Sequence, residues 1–195
     1  MKEIVERRSI RKYTTQEISD NDITDILISA TKAPSSKNRQ PWKFVVVKDN
    51  AKKDMLDAFR KGIEREEKDA LLEDSKQHIT AAKYTVDIIE KAPVVIFIMN
   101  TLGKNLFEEL TIEERVSEIC NIQSISAAIQ NMILEATHKG LGSLWVCDIF
   151  FAYQELVEWL NVEGVLVAAL VLGHPDEFPE ARPRKRFEDV TIWKK

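Results

Sequence analysis

The chain has 195 residues, with 28 Lys and Arg against 32 Asp and Glu, and a formal charge of −4. This length fits one domain with a substantial core, and the negative balance excludes a broad nucleic-acid-binding face. Two well-separated cysteines predict neither a disulfide framework nor a metal site. No signal peptide and no apolar run of membrane-spanning length is visible. We therefore expect a single, soluble, cytoplasmic domain over residues 1–195 that binds neither nucleic acid nor membranes.

The first half of the chain alternates helical and strand patterns. Ser19 is a typical N-cap residue, and the apolar residues after it recur every three or four positions until just before Pro34. This spacing predicts a helix with one buried face. Strands are predicted where β-branched and aromatic residues cluster, at 42–47 (WKFVVV) and 93–99 (PVVIFIM). The highly charged stretch between them, 60–90, favours exposed helices.

The second half contains the longest helical pattern. Apolar residues recur at helical spacing over 112–139, and Gly140 is a typical residue just past a helix C-terminus. We predict strands at 141–149 and 164–173, with a short helix at 153–160 between them. Helices interspersed with buried strands indicate an α/β or α+β layered domain.

The last residues, from 174 onward, predict an extended arm that is rich in proline and charge. Its VTIW segment, 190–193, has strand character. We expect this segment to pair at a sheet edge, either of this chain or of a partner.

Two basic clusters lie near the two ends of the chain. Arginine forks match phosphate geometry, and Ser9 adds a hydroxyl donor to the first cluster. The simplest interpretation is that both clusters bind one phosphate group. The alternative is that they are two separate basic stretches exposed to solvent. The first cluster contains Arg7, Arg8 and Arg11, and the second contains Arg182, Arg184, Lys185 and Arg186.

A polar loop leads directly into the first predicted strand. Residues 33–47 read APSSKNRQPWKFVVV and place small hydroxyl and amide side chains immediately before buried ones. Such a loop can offer several hydrogen-bond donors and acceptors to a planar ligand with polar edges. The composition of this loop, taken alone, is equally typical of an ordinary turn.

Four segments together resemble the FMN-dependent nitroreductase family. They are ERRSIRKY (6–13), APSSKNRQPWKFVVV (33–47), HKGLGSLWVCDI (138–149) and VLGHPDEFPEARPRKRFEDV (171–190). The resemblance covers residues 4–48 and 116–190, in family order and spacing. It implies an α+β, nitroreductase-like layered fold with a central mixed β-sheet flanked by helices. It also implies an intertwined homodimer with FMN at the interface.

The resemblance implies the chemistry as well. Family members use NADH or NADPH to reduce FMN, and the flavin then passes a hydride to a nitroaromatic, quinone or related acceptor in a ping-pong sequence. Because the flavin carries this chemistry, neither a catalytic side chain nor a metal is expected. The alternatives are a flavin-binding or sequestering protein with little turnover, or a related flavin enzyme such as a reductive dehalogenase.

The family motifs also imply cofactor contacts in this chain. Arg7, Arg8, Ser9 and Arg11 resemble the contacts to the phosphate and ribityl groups. In the last motif the basic position falls on Arg184 with Arg182 as its companion, while Lys185 and Arg186 leave this alignment open by two residues. The loop laid over the neighbouring subunit's flavin would contain Pro34, Ser35, Ser36, Asn38 and Gln40. The strand segment bordering the flavin ring would contain Leu144 and Trp145.

Overall fold

A four-stranded antiparallel sheet forms the centre of the protein in the computed structural model, which describes residues 2–71 and 74–195. The strands are β1 (Trp42–Lys48), β2 (Val94–Asn100), β3 (Gly142–Val146) and β4 (Val165–Gly173). Their order is β1-β2-β4-β3, so the strongly apolar β2 and β4 occupy the middle. The family resemblance implied a mixed sheet, but the four strands pair antiparallel throughout. Among the described residues, parallel pairing is limited to an isolated bridge between Ser9 and Ser143.

Helices cover both faces of this sheet. They are α1 (Lys2–Glu6), α2 (Asp20–Thr31), α3 (Ala51–Lys68), α4 (Ile79–Lys91), α5 (Ile112–His138), α6 (Tyr153–Leu160) and α7 (Phe187–Val190). Successive side chains of a strand point to opposite faces. In β2, Val95 and Phe97 accordingly pack in a core with α3, α4 and α6. Ile96 and Ile98 pack in a second core with α2 and α5.

The predicted helix ends are confirmed by their hydrogen bonds. The Ser19 hydroxyl accepts a hydrogen bond from Asp22 N at 3.1 Å and caps α2. The C-terminus of α5 closes in a Schellman turn with Gly140 at a φ of 74°. The two bonds of this turn are Gly140 N to Thr137 O at 3.0 Å and Leu141 N to Ala136 O at 2.8 Å.

Two strand predictions differ from the structure. The strand predicted at 141–149 ends at Val146, because residues 148–152 form a 3-10 helix. Thr85 of α4 fixes this change of direction by donating a hydrogen bond to Asp148 Oδ2 at 2.5 Å. The segment 190–193 pairs with no strand within the described residues. Its pairing with a partner chain stays a prediction.

Among the residues that the structure describes, no helix has the length and apolar content needed to cross a membrane.

Candidate functional site

The two basic clusters meet in one cavity of about 290 Å³, which we call the basic cavity. Five arginines line it, together with one carboxylate, Glu180. Ser9 also contributes to the lining. The structure thus brings together residues separated by almost the whole chain, as a single phosphate held from both ends would require. The five arginines are Arg7, Arg8, Arg11, Arg182 and Arg184.

Backbone contacts hold the N-terminal side of the basic cavity against β3. Ile10 N donates to Ser143 O at 2.9 Å, and Ser9 forms the parallel bridge with Ser143. This approach depends on the glycine at 142, since a Cβ atom there would lie 2.9 Å from Ile10 Cβ. The first basic cluster is therefore positioned by the edge of the central sheet.

Residues 11–14 pair with residues 174–177, and we call this pairing the terminal clasp. Arg11 N donates to Glu177 Oε1 at 2.5 Å, so a side chain of the arm also binds the N-terminal segment. The terminal clasp brings the second basic cluster close to the first. Its backbone contacts are Thr14 N to His174 O and Asp176 N to Lys12 O, both at 2.9 Å, and a bridge between Tyr13 and Pro175.

Tyr13 anchors the terminal clasp in the core. Its side chain is buried, and its hydroxyl donates to Ile10 O at 2.7 Å. Burial, and secondarily the charge of Glu177, raise the pKa of Tyr13, so the hydroxyl stays protonated and keeps donating. The ring lies over Gly173, where a Cβ atom would come within 2.5 Å of Tyr13 Cδ1.

Among the described residues, the arginines of the basic cavity form no ion pair, although Glu180 also lines the cavity. Arg8 Nη1 donates to Val5 O at 2.7 Å and to Arg7 O at 2.8 Å. Its Nε is buried and finds no hydrogen-bond partner in the described part of the chain. Arg11 Nη1 reaches Ser9 O at 3.2 Å. Within the described ranges, none of the five forms an ion pair with a carboxylate, which leaves their charge to be balanced by an anion.

The remaining two basic residues of the second cluster do not line the basic cavity. Arg186 instead binds Asp189, with Nε to Oδ2 at 3.3 Å and Nη2 to Oδ1 at 3.1 Å. A bidentate pair of this kind occupies the same fork of the guanidinium that would bind a phosphate. This arrangement favours Arg182 and Arg184 over Lys185 and Arg186 as anion ligands.

A second cavity, of about 330 Å³, shares Arg11 with the basic cavity. The α4 residues in it were missed by sequence reasoning, because a charged helix without a motif gives little local signal. Tyr84 is an exposed aromatic residue on that helix. The lining consists of Arg11, Lys12, Tyr13, Tyr84, Asp87, Ile88, Lys91 and Asp176.

The predicted loop residues lie apart from both cavities. They fall between α2 and β1, and none of them lines the basic cavity or the second cavity within this chain. One chain therefore does not bring the predicted loop and the predicted phosphate ligands together. The residues concerned are Pro34, Ser35, Ser36, Asn38 and Gln40.

This loop has a strained backbone that its neighbours hold in place. Lys37, Asn38 and Gln40 have φ values of 54°, 54° and 49°. Such left-handed conformations cost on the order of 1–3 kcal/mol each for residues other than glycine and persist where the surroundings enforce them. Ser124 Oγ of α5 accepts from Ser36 N at 3.2 Å and supplies part of that support. Concentrated strain of this kind is typical of functional loops.

The two predicted residues of β3 are engaged in packing. Leu144 is buried in the core with α3, α4 and α6, and Trp145 packs partly against the core with α2 and α5. Their side chains are thus used by the fold, and a ligand beside β3 would meet chiefly its backbone.

Comparison with known proteins places these features in a family. The sequence model described as Nitroreductase family matches residues 4–174. A provisionally named NADH dehydrogenase/NAD(P)H nitroreductase of Archaeoglobus fulgidus is 33% identical over 182 residues, which cover 91% of this chain and 86% of that protein.

Two solved structures share the fold over the whole chain. A BluB-like flavoprotein of Clostridium difficile has a TM-score of 0.77 and 27% identity, covering 100% of this chain and 98% of its own. A provisionally named nitroreductase of Desulfovibrio desulfuricans, crystallised in complex with FMN, has a TM-score of 0.72 and 25% identity, covering 100% and 95%.

Proposed function

Since the chain belongs to the nitroreductase family, we propose that it is an FMN-dependent oxidoreductase that uses NADH or NADPH. Its acceptor would be a nitroaromatic, a quinone or a related small molecule, reduced in a ping-pong sequence. The observation that carries the proposal is the convergence of five arginines from both ends of the chain on one cavity.

The basic cavity fits the phosphate end of FMN. Its guanidinium groups have no carboxylate partners among the described residues, and the buried Nε of Arg8 lacks an acceptor. A phosphate monoester offers several oxygens that accept from such groups. The second cavity adjoins at Arg11 and is lined partly by Tyr84 and Tyr13, which gives the site an aromatic as well as a cationic part.

When bound, FMN would supply the hydride transfer, while the chain supplies binding, orientation and electrostatics. The phosphate would be held by Arg7, Arg8, Arg11, Arg182 and Arg184. Backbone N–H groups of β3 and its following turn would act as fixed donors, a role that requires no acid or base in the side chains.

We further propose that two chains complete the site as a homodimer. The outer face of α5 exposes Ile112, Val116 and Ile119 by 79%, 54% and 53%, at helical spacing. The C-terminal arm exposes Phe187 and Trp193 by 61% and 74%. Exposed apolar side chains grouped on one element mark interaction sites. A second copy would cover it and would lay its loop at 34–40 over the flavin.

The test is an anaerobic reduction of the purified protein loaded with FMN. Addition of NADH or NADPH should bleach the flavin absorbance faster than it bleaches free FMN at the same concentration. A quinone or nitroaromatic added afterwards should restore the colour. Flavin that stays bound and oxidised would instead identify a flavin-binding protein with little turnover.

A further inference from the structure

Glu177 joins the two ends of the chain through its side chain. Its Oε1 accepts from Arg11 N at 2.5 Å, across 166 positions of sequence. Both residues are half-buried, which shields the bond from solvent. A hydrogen bond to an ionised carboxylate is shorter and roughly twice as strong as a neutral one.

Glu177 directly precedes the exposed, irregular part of the arm. Residues 178–186 contain no helix or strand and are exposed. In the described chain they donate or accept no hydrogen bond that ties them to the body of the protein. Arg182 and Arg184 follow Glu177 by only five and seven positions. Among the described residues, Glu177 is therefore the last residue before these arginines with a hydrogen bond to the body of the protein.

We infer that Glu177 is a positioning residue for the phosphate site. By binding the backbone of Arg11, its carboxylate sets the distance between the arginines of the two chain ends before a ligand arrives. This inference rests on the proposed function and adds to it a residue that the family motifs did not single out.

Electrostatics alone makes the opposite prediction. A carboxylate next to a phosphate repels it, so removal of the charge should tighten phosphate binding. A positioning role predicts weaker binding, because a looser terminal clasp no longer holds both sets of arginines at one spacing. The sign of the change therefore separates the two explanations.

The experiment is a fluorescence titration of apoprotein with FMN and with riboflavin. Glu177→Gln keeps the size and the acceptor oxygen but loses the charge, and it should weaken FMN binding about three- to tenfold. Glu177→Ala should weaken it by about tenfold or more. Riboflavin affinity should stay within about twofold in both variants, because riboflavin carries no phosphate. Glu163→Ala, which removes an exposed carboxylate in the turn before β4, is the matched control and should leave both affinities unchanged.

Unchanged or tighter FMN binding in Glu177→Gln would overturn the inference, and this variant decides the matter if Glu177→Ala does not fold. Hydrogen exchange at Arg11 N, followed in apoprotein without flavin, gives a second readout. It should be faster in Glu177→Gln than in the wild type, and equal rates would contradict the hold on Arg11. The proposed phosphate site would be refuted if the wild-type protein bound FMN no better than riboflavin. Slow exchange at Arg11 N in the same protein would still show that Glu177 binds the backbone of Arg11.

Discussion

Arginines that face one another without counter-ions repel each other, and some other arginines of this chain lie beside a carboxylate instead. Arg60 binds Glu90 at 2.9 Å, and Arg65 binds Glu155 at 2.8 Å. The arginines of the basic cavity have no such partners within the described residues. Their repulsion is relieved when an anion binds among them. At the scale of single residues, the basic cavity is therefore distinguished by unbalanced charge rather than by the number of arginines.

Arg7→Ala tests this charge directly. Charge-assisted hydrogen bonds contribute about 1.5–3 kcal/mol, so the variant should bind FMN about ten- to a hundredfold more weakly. Riboflavin binding should barely change. Arg186→Ala is the matched control, because Arg186 is already bound to Asp189 and lies outside the cavity. Equal FMN affinity in the wild type and Arg7→Ala, measured by fluorescence titration, would show that the cluster serves a different purpose.

Among the elements of the fold, β3 and β4 position the first basic cluster, because the N-terminal segment packs closely against their backbones. The N-terminal segment lies on the ends of β3 and β4 because Gly142 and Gly173 leave room for Ile10 and Tyr13. Side chains at either glycine would push the segment away from the sheet. The anion site thus depends on positions that carry no charge.

Gly173→Ala should displace Tyr13, since the new Cβ would lie 2.5 Å from its ring and 2.8 Å from Pro93 Cδ. Overpacking of this kind costs about 1–3 kcal/mol of unfolding free energy. The preference for FMN over riboflavin should fall with it, because the terminal clasp moves. Urea unfolding of the apoprotein and flavin titration measure the two effects.

Gly140→Ala provides the comparison for that variant. It has no atom within 4 Å of the added Cβ, and only its φ of 74° opposes the substitution. It should lose about 1–2 kcal/mol of stability and keep the preference for FMN. Wild-type stability in Gly173→Ala would contradict the close packing of Tyr13.

Elements with strong local patterns could be predicted from the sequence, and contacts between distant segments could not. The apolar spacing of α5 and the run of β2 each arise within one stretch of chain, so both were predicted closely. The turn at Cys147 depends on the contact of Asp148 with Thr85, 63 positions away. Glu177 likewise binds Arg11 across 166 positions, and no local pattern identifies that pair.

The candidate site shows the same division. Arg182 and Arg184 were predicted from a motif, whereas Tyr84 and Asp87 of α4 enter the second cavity only through the packing of α4 beside the terminal clasp. The polar loop could be identified from its composition. Its separation from the basic cavity within one chain is a property of the fold that composition does not encode.

The exposed apolar face of α5 and the extended arm are the surfaces that the proposed homodimer would cover. Sedimentation at micromolar concentration should give twice the 22.4 kDa mass of one chain. Ile119→Asp places a charge in the middle of the α5 face and should shift the protein toward monomer, with loss of bound FMN. A monomeric wild-type protein that still retains FMN would contradict the shared site.

We propose that arginines from both chain ends close around the terminal phosphate of FMN. The most direct test offers the apoprotein equal concentrations of FMN, FAD and riboflavin, removes unbound flavin by desalting, and identifies what is retained after denaturation. Retained flavin should be almost entirely FMN, because riboflavin lacks the phosphate and FAD would have to pass its adenylate between the arginines. Comparable retention of FAD or riboflavin would contradict a phosphate site formed by these arginines.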